Sequence, residues 1–214
     1  MDLVEGAPLN EHLRKSATGR FSESTACWYA AEITSAVHWL HDRGWLYRDL
    51  KASNVMISAR NGRVKLVDFG FAKHSDRATS VVGTLYAMAP EIIRCANLDG
   101  AESDTSSGYG RAVDWWSLGV VLFEMLTGEP PFGYCDDVHL EGLDLLKRQS
   151  EAASYGLAWP SGSDVLVDAQ DAAKAFLCLD ESTRLGARSG LDEIRSHAFF
   201  KSLDWTSILS AIAS

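Results

Sequence analysis

The sequence predicts a mainly α-helical domain that carries short β-hairpins. After Ser22, a good helix N-cap, apolar residues recur at helical spacing. They are Ala26, Ala30, Ile33, Val37 and Leu40. A second stretch, 114–128, is apolar nearly all round, which is typical of a helix buried through the centre of a domain. Between the two, 55–67 has an apolar run, Asn-Gly and a second apolar run, which predicts a β-hairpin.

The remaining elements follow in chain order. A short helix is predicted over 9–15, because Gly19 interrupts the chain soon after it. Amphipathic patterns predict further helices over 138–148 and 168–178, and a last one over 191–200. The stretch 97–110 is acidic, small and polar, so we expect a disordered surface insertion there.

Composition excludes several classes of protein. The 214 residues carry a net charge of −9 without a basic run, which argues against non-specific binding of nucleic acid. No apolar run is long enough to span a membrane, and the first residues do not form a signal peptide, so we expect the cytoplasm or the nucleus. The four cysteines are scattered without a C-x-x-C pair, which predicts buried free thiols.

Two loops flank the predicted hairpin and carry its most informative residues. The first contains Asp49, Lys51 and Asn54, and the second begins with Asp68 in Asp68-Phe69-Gly70. Phosphoryl transfer needs a proton acceptor, a cation on the phosphate and hard oxygen ligands for Mg²⁺, and these side chains supply all three. The alternative is that they are solvated charges on an ordinary hairpin.

The order Tyr47-Arg48-Asp49-Leu50-Lys51-Ala52-Ser53-Asn54, followed by Asp68-Phe69-Gly70, resembles the catalytic and magnesium loops of eukaryotic protein kinases. Tyr47 in place of the commoner His resembles the AGC group, which includes the cyclic-nucleotide-dependent kinases. The resemblance runs from residue 1 to about 205. It implies the large, C-terminal lobe of a kinase fold, with 206–214 as a C-terminal remnant.

The resemblance implies ATP and Mg²⁺ as cofactors and a role for each matching residue. Asp49 would accept the substrate proton and Lys51 would contact the γ-phosphate. Asn54 and Asp68 would hold Mg²⁺, and Thr84 would orient the site and mark Ser/Thr specificity. The backbone of Asp2 and Val4 would bind adenine above the side chain of Met56, although Met56 is equally plausible as a core residue.

The same resemblance assigns a regulatory loop. Residues 71–80 match the kinase activation loop, with Ser80 at the phosphorylated position and Thr79 beside it. Arg48 and Lys73 would supply cations to a phosphate there. The alternative is a plain polar loop.

Structural and substrate positions follow in the same way. Glu91 in Ala89-Pro90-Glu91 would pair with Arg184. Asp114 can cap the backbone N–H groups of its own helix, and in kinases this residue ties the helix to the catalytic loop.

Glu124 matches an acidic position that contacts a basic substrate residue. Pro8 and Ser53 stand where other carboxylates would be, so strong selection for paired arginines is not expected. The pocket for the substrate residue that follows the target Ser or Thr would be apolar and would consist of Val81, Leu85 and Met88.

The sequence contains no G-x-G-x-x-G loop and no V-A-I-K lysine, so it lacks the small β-rich lobe of a complete kinase. Two explanations stay open: a fragment of a full kinase that phosphorylates Ser/Thr of protein substrates, or a large-lobe module that binds peptides or a partner without turnover. A regulatory subunit or domain is a further expected partner, whereas nucleic acid and membranes are not.

Overall fold

A computed structural model of the chain describes residues 5–97, 108–161 and 164–210. Asp2, Val4 and most of the predicted insertion lie outside the described residues. Within them, the structure is mainly helical with short antiparallel strands, as the sequence predicts. The helices are α1 (Leu9–Lys15), α2 (Glu23–His41), α3 (Pro90–Arg94), α4 (Ala112–Thr127), α5 (Val138–Tyr155), α6 (Val167–Phe176), α7 (Leu191–Ser196) and α8 (Trp205–Ser210). The strands are β1 (Gly6–Pro8), β2 (Trp45–Leu46), β3 (Val55–Ser58), β4 (Val64–Leu66) and β5 (Lys73–His74).

Helix α4 runs through the centre of the described fold. Every side chain from Val113 to Leu126 is buried, because the helix lies between two apolar clusters and contributes residues to both. At Gly119 a Cβ atom would lie 2.6 Å from the Cβ of Phe176, so glycine allows α6 to approach α4 closely. The apolar run in the sequence thus corresponds to the helix around which the other elements pack.

Helix α2 packs against α4 along the predicted apolar stripe. Its N-cap is Ser22, whose hydroxyl accepts a hydrogen bond from the backbone N–H of Thr25 at 3.2 Å. All five residues of the stripe are buried in the same cluster as α4. The C-terminal end of α2 leads through a short turn and β2 into the loop that carries Asp49, so this packing helps to place the start of the loop.

Two small sheets hold the loops of interest. Strands β3 and β4 form the predicted antiparallel hairpin, with Val55 opposite Leu66, and β1 pairs with the other edge of β3. Strands β2 and β5 pair antiparallel, with Leu46 opposite Lys73. The first pairing brings the end of the Asp49 loop beside the start of the Asp68 loop, because each loop adjoins one strand of the hairpin.

The C-terminal part of the fold differs from the prediction. Helix α7 ends at Ser196 rather than at residue 200, because His197 has an extended backbone. It is not the last helix: α8 follows, buries Ile208 in the cluster that contains α2, and is contacted by Arg63, which donates to the carbonyl of Ile208 at 3.1 Å. Ile208, within the predicted C-terminal remnant, therefore packs in the same apolar cluster as α2.

Two other predictions also need correction. Helix α5 is longer than predicted and continues to Tyr155, where Gly156 ends it at φ +94°. Tyr109 was assigned to the surface insertion, but its side chain is fully buried and its backbone pairs with Ala78. Among the described residues, no helix is both long and apolar enough to cross a lipid bilayer.

Candidate active site

The loop that carries Asp49 is attached to α4 by a buried carboxylate. Asp114 accepts hydrogen bonds from the backbone N–H of Tyr47 at 2.9 Å and of Arg48 at 2.7 Å, and from Nε2 of His41 at 2.7 Å. The side chain was also predicted to cap its own helix; its oxygens bind the loop instead. Arg48 has φ +70°, an uncommon conformation for a residue with a side chain. The Asp114 contacts supply the hydrogen bonds that hold the loop in this conformation.

Asp49 is buried, and three side chains surround its carboxylate. Oδ1 accepts from the Thr84 hydroxyl at 2.8 Å, and Oδ2 accepts from Nδ2 of Asn54 at 2.8 Å. The Lys51 ammonium lies 3.1 Å from Oδ2 and donates to the Thr84 hydroxyl at 2.6 Å. The structure thus brings the four predicted residues into one hydrogen-bonded cluster with a lysine cation beside the carboxylate.

Asn54 connects this cluster to the second loop. Its Nδ2 donates to both the side chain and the backbone carbonyl of Asp49, which leaves the amide oxygen available to a cation. Its backbone carbonyl accepts from the N–H of Val67 at 3.0 Å, and the Tyr47 hydroxyl donates to the Val67 carbonyl. Asp68 therefore directly follows Val67, whose backbone is hydrogen-bonded to both ends of the first loop.

Asp68 is exposed and adopts φ +58°, with its Oδ1 accepting from the N–H of Gly70 at 3.1 Å. Carboxylate and amide oxygens are the ligand types that Mg²⁺ prefers. The exposed Asp68 carboxylate and the amide oxygen of Asn54 fit that requirement chemically. Met56 lies on β3, paired with Pro8 of β1, and its side chain is half-buried.

Among the described contacts, the segment that carries Ser80 contacts Arg48, but not the second predicted cation, Lys73. The Arg48 guanidinium donates to the carbonyl of Phe71 at 2.7 Å and to the hydroxyl of Ser80 at 2.9 Å. Ser80 and Thr79 are both exposed. Lys73 lies in β5 with its backbone paired to Leu46, and the hydrogen bonds and ion pairs of the described residues do not join its side chain to Ser80. Arg48 is thus the cation that the structure brings to Ser80.

A second buried ion pair joins Glu91, in the first turn of α3, to Arg184. Arg184 is fully buried and donates to both carboxylate oxygens of Glu91, at 2.6 and 3.1 Å. Its remaining donors bind the carbonyls of Ala112 at 2.9 Å and Cys178 at 2.9 Å. The predicted partners therefore meet in a bidentate pair, the strongest geometry for these groups.

Glu124 is only 3% exposed, and its Oε2 has no hydrogen-bond partner within the described structure. Burial, and secondly the charge of Glu129, raise the pKa of Glu124 to about 7. The rings of Tyr86 and Tyr134 lie 5.1 Å apart. The oxygen without a partner leaves the Glu124 carboxyl able to accept a hydrogen bond from a basic side chain.

The apolar residues predicted to contact substrate are also largely buried. Leu85 and Met88 are almost fully buried in the cluster that contains Trp116, and Val81 is half-buried against it. An apolar pocket built from them is closed in this structure.

A comparison with known families identifies the fold that holds these loops. Residues 1–200 match the model of the protein kinase domain. The chain belongs to the protein kinase family. Protein kinases use ATP and Mg²⁺. The predicted resemblance is thereby confirmed at the level of the family.

Individual relatives extend this result to the AGC group. The cAMP-dependent protein kinase catalytic subunit of Dictyostelium discoideum is 41% identical over 206 residues, covering 95% of this chain and 28% of that protein. The human cAMP-dependent protein kinase catalytic subunit PRKX is 38% identical over 210 residues, covering 97% of this chain and 52% of that protein. Human ribosomal protein S6 kinase alpha-4 is 37% identical, covering 97% of this chain and 25% of that kinase. The chain thus spans from about a quarter to about half of the length of these relatives.

One residue of the kinase site was missed by the sequence analysis. The hydroxyl of Tyr109 accepts from Arg48 at 3.1 Å and donates to the backbone carbonyl of Ser80 at 2.6 Å. Its polar, glycine-rich neighbours predicted an exposed loop. The available signal was an aromatic residue in an otherwise small and polar stretch, which is a reason to expect an anchor.

Proposed function

We propose that residues 1–205 act as the large lobe of a Ser/Thr protein kinase and transfer the γ-phosphate of ATP to Ser or Thr of protein substrates. The observation that carries the proposal is the position of Asp49, whose carboxylate is held by Thr84 and Asn54 with the Lys51 ammonium 3.1 Å away. Such an arrangement orients a proton acceptor beside a cation, and phosphoryl transfer depends on positioning and charge stabilisation of this kind.

Each residue would have a defined part in the reaction. Asp49 would accept the proton of the substrate hydroxyl, and Lys51 would stabilise negative charge on the transferred phosphoryl group. Asn54 and Asp68 would hold Mg²⁺, which neutralises charge between the phosphates when bound. Thr84 would fix the side chains of Asp49 and Lys51 relative to each other, because its hydroxyl is hydrogen-bonded to both.

Regulation would act on the activation segment. A phosphate on Ser80 or Thr79 adds about −1.5 to −2 charge. The Arg48 guanidinium already contacts the Ser80 hydroxyl, so it is the cation placed to receive that charge. Mass spectrometry of active protein should find one of the two residues phosphorylated; active protein with both unmodified contradicts the proposal.

Substrate choice would depend mainly on Glu124. A single basic residue before the target Ser or Thr would pair with this buried carboxylate, whose Oε2 is unpartnered. A peptide-library screen should therefore enrich one upstream basic position; strong enrichment of arginine at two such positions would contradict it. A regulatory subunit is a further proposed partner, because two of the relatives are named as catalytic subunits.

The decisive experiment compares phosphate transfer by the wild-type chain with that by Asp49→Asn. The substitution keeps the size of the side chain but replaces one carboxylate oxygen by an NH₂ group, which can neither take up the substrate proton nor accept the hydrogen bond made to that oxygen. Loss of such a group typically reduces turnover by about 10²–10⁴-fold. Asp42→Asn is the matched control, because Asp42 is exposed at the end of α2, and it should leave the rate unchanged.

The alternative function makes the opposite prediction. A large-lobe module that only binds peptides would transfer no phosphate, and Asp49→Asn would bind peptide as well as the wild type does. Equal rates above background for the wild type and Asp49→Asn would likewise refute the assigned role of Asp49.

A further inference from the structure

Tyr109 joins the activation segment to the catalytic loop. Its hydroxyl lies between the Arg48 guanidinium and the backbone carbonyl of Ser80, in a fully buried position. We propose that Tyr109 is a positioning residue, which holds residues 76–83 against the catalytic loop whether or not Ser80 is phosphorylated. The proposal rests on the proposed kinase function for its catalytic consequence, but not for its structural one.

The phenol hydroxyl donates to one of these two partners and accepts from the other. A tyrosine hydroxyl donates one hydrogen bond and accepts others. Here it donates to the Ser80 carbonyl at 2.6 Å and accepts from Nη1 of Arg48 at 3.1 Å. Arg48 immediately precedes Asp49, so the phenol attaches the activation segment to the residue beside the proposed proton acceptor.

The backbone around Tyr109 places the ring by independent contacts. Ala78 and Tyr109 exchange two backbone hydrogen bonds, of 2.9 and 2.8 Å. A Cβ atom at Gly108 would lie 2.4 Å from the carbonyl oxygen of Ala78, and the residue has φ +59°, so glycine is required for this approach. Arg111 adds an ion pair to Asp76 at 3.3 Å. The segment is therefore held along its length from Asp76 to Ser80.

The atoms involved explain why the contact would not depend on phosphorylation. Phosphorylation of Ser80 changes its hydroxyl, which Arg48 contacts at 2.9 Å. Tyr109 contacts the backbone carbonyl of the same residue, which the modification leaves unchanged. Nη1 of Arg48 donates to both the Ser80 hydroxyl and the Tyr109 hydroxyl, so the contacts of Arg48 would respond to phosphate. The bond from the Tyr109 hydroxyl to the Ser80 carbonyl would persist.

The test is hydrogen–deuterium exchange of the whole chain carrying Tyr109→Phe, which removes only the hydroxyl. Loss of the two hydrogen bonds should speed amide exchange in 76–83 and 47–49 by about tenfold, while α2 is unchanged. Tyr155→Phe is the matched control, because Tyr155 is 89% exposed, and it should have no effect. The same increase should appear in a Ser80→Ala background, where the hydroxyl of residue 80 is absent.

Two results would overturn the proposal: unchanged exchange in 76–83, or an equal increase in α2, which would indicate general destabilisation. A loss of the effect in the Ser80→Ala background would refute independence from the Ser80 side chain. Exchange requires no turnover, so this experiment and the Asp49→Asn experiment can fail separately.

A kinetic measurement tests the catalytic consequence. Tyr109→Phe should lower kcat by about three- to tenfold and leave the KM for ATP unchanged, because the hydroxyl orients the loop and does not touch nucleotide. A normal kcat together with faster exchange would refute a positioning role in catalysis. A general folding defect would instead lower the active fraction and reduce exchange protection throughout the chain.

Discussion

Replacing Arg184 with alanine would break a buried ion pair from one side. The guanidinium is fully buried and makes bidentate hydrogen bonds to Glu91, together with bonds to the carbonyls of Ala112 and Cys178. It also lies 5.1 Å from the centre of the Trp116 ring. All of these groups would lose their partner at once, while the Glu91 carboxylate would stay largely buried.

The size of the effect follows from that geometry. Leaving one partner of a buried pair uncompensated costs about 3–5 kcal/mol, and each carbonyl that loses its donor adds to this unless water reaches it. We therefore expect Arg184→Ala to lower the free energy of unfolding by about 4 kcal/mol. For a chain of this length, that corresponds to a fall in Tm of about 10 °C.

Urea unfolding of the wild type and three variants separates the explanations. Arg188→Ala, at an exposed arginine in the same loop, should change the free energy of unfolding by less than about 0.5 kcal/mol. The double variant Arg184→Met with Glu91→Leu removes both charges and should recover most of the loss, because a buried pair is often replaceable by apolar residues. A loss below about 1 kcal/mol for Arg184→Ala would refute the reasoning, as would a double variant less stable than the single one.

Two further predictions concern α4. The pKa of Glu124 is raised from 4.5 to about 7, chiefly by burial. The folded protein therefore favours the neutral carboxyl, and the free energy of unfolding gains its full contribution from this group below about pH 4.5 and loses it as pH rises through 7. The free energy of unfolding of Glu124→Gln should thus exceed that of the wild type by up to about 3 kcal/mol above pH 7 and equal it at pH 4. Urea unfolding at both pH values measures this, and a difference that does not change with pH would contradict it. Gly119→Ala should lower the free energy of unfolding by about 1–2 kcal/mol, because the new methyl group would meet Phe176 and the strain exceeds the gain of about 1 kcal/mol in helix propensity. An unchanged or higher urea midpoint would refute the close approach of the two helices.

The sequence was a good guide to elements with a strong local pattern. The stripe after Ser22 and the long apolar run of α4 became buried helices, and the Asn-Gly turn became the β3–β4 hairpin. Boundaries were less predictable, as at α7 and α8. A helix there ends where the backbone of His197 turns away to pack, and short amphipathic segments do not reveal their packing partner.

The candidate site divides in the same way. Asp49, Lys51 and Asn54 lie within one short loop, so their proximity could be inferred from spacing, and the hairpin accounted for Asp68. The place of Tyr109 could not be inferred, because its contacts reach Arg48, 61 residues away, and Ser80, 29 residues away.

The chain by itself determined its family, its helical core and the set of side chains suited to phosphoryl transfer, because these depend on residue type and short-range periodicity. Only the tertiary structure decided that Lys73 does not join Arg48 at Ser80 among the described contacts, and that Tyr109 is buried. For Asp114 the resemblance implied the tie to the catalytic loop, and the structure gave its partners, the backbone N–H groups of Tyr47 and Arg48. Each of these depends on which distant backbone groups need a hydrogen-bond partner once the helices have packed.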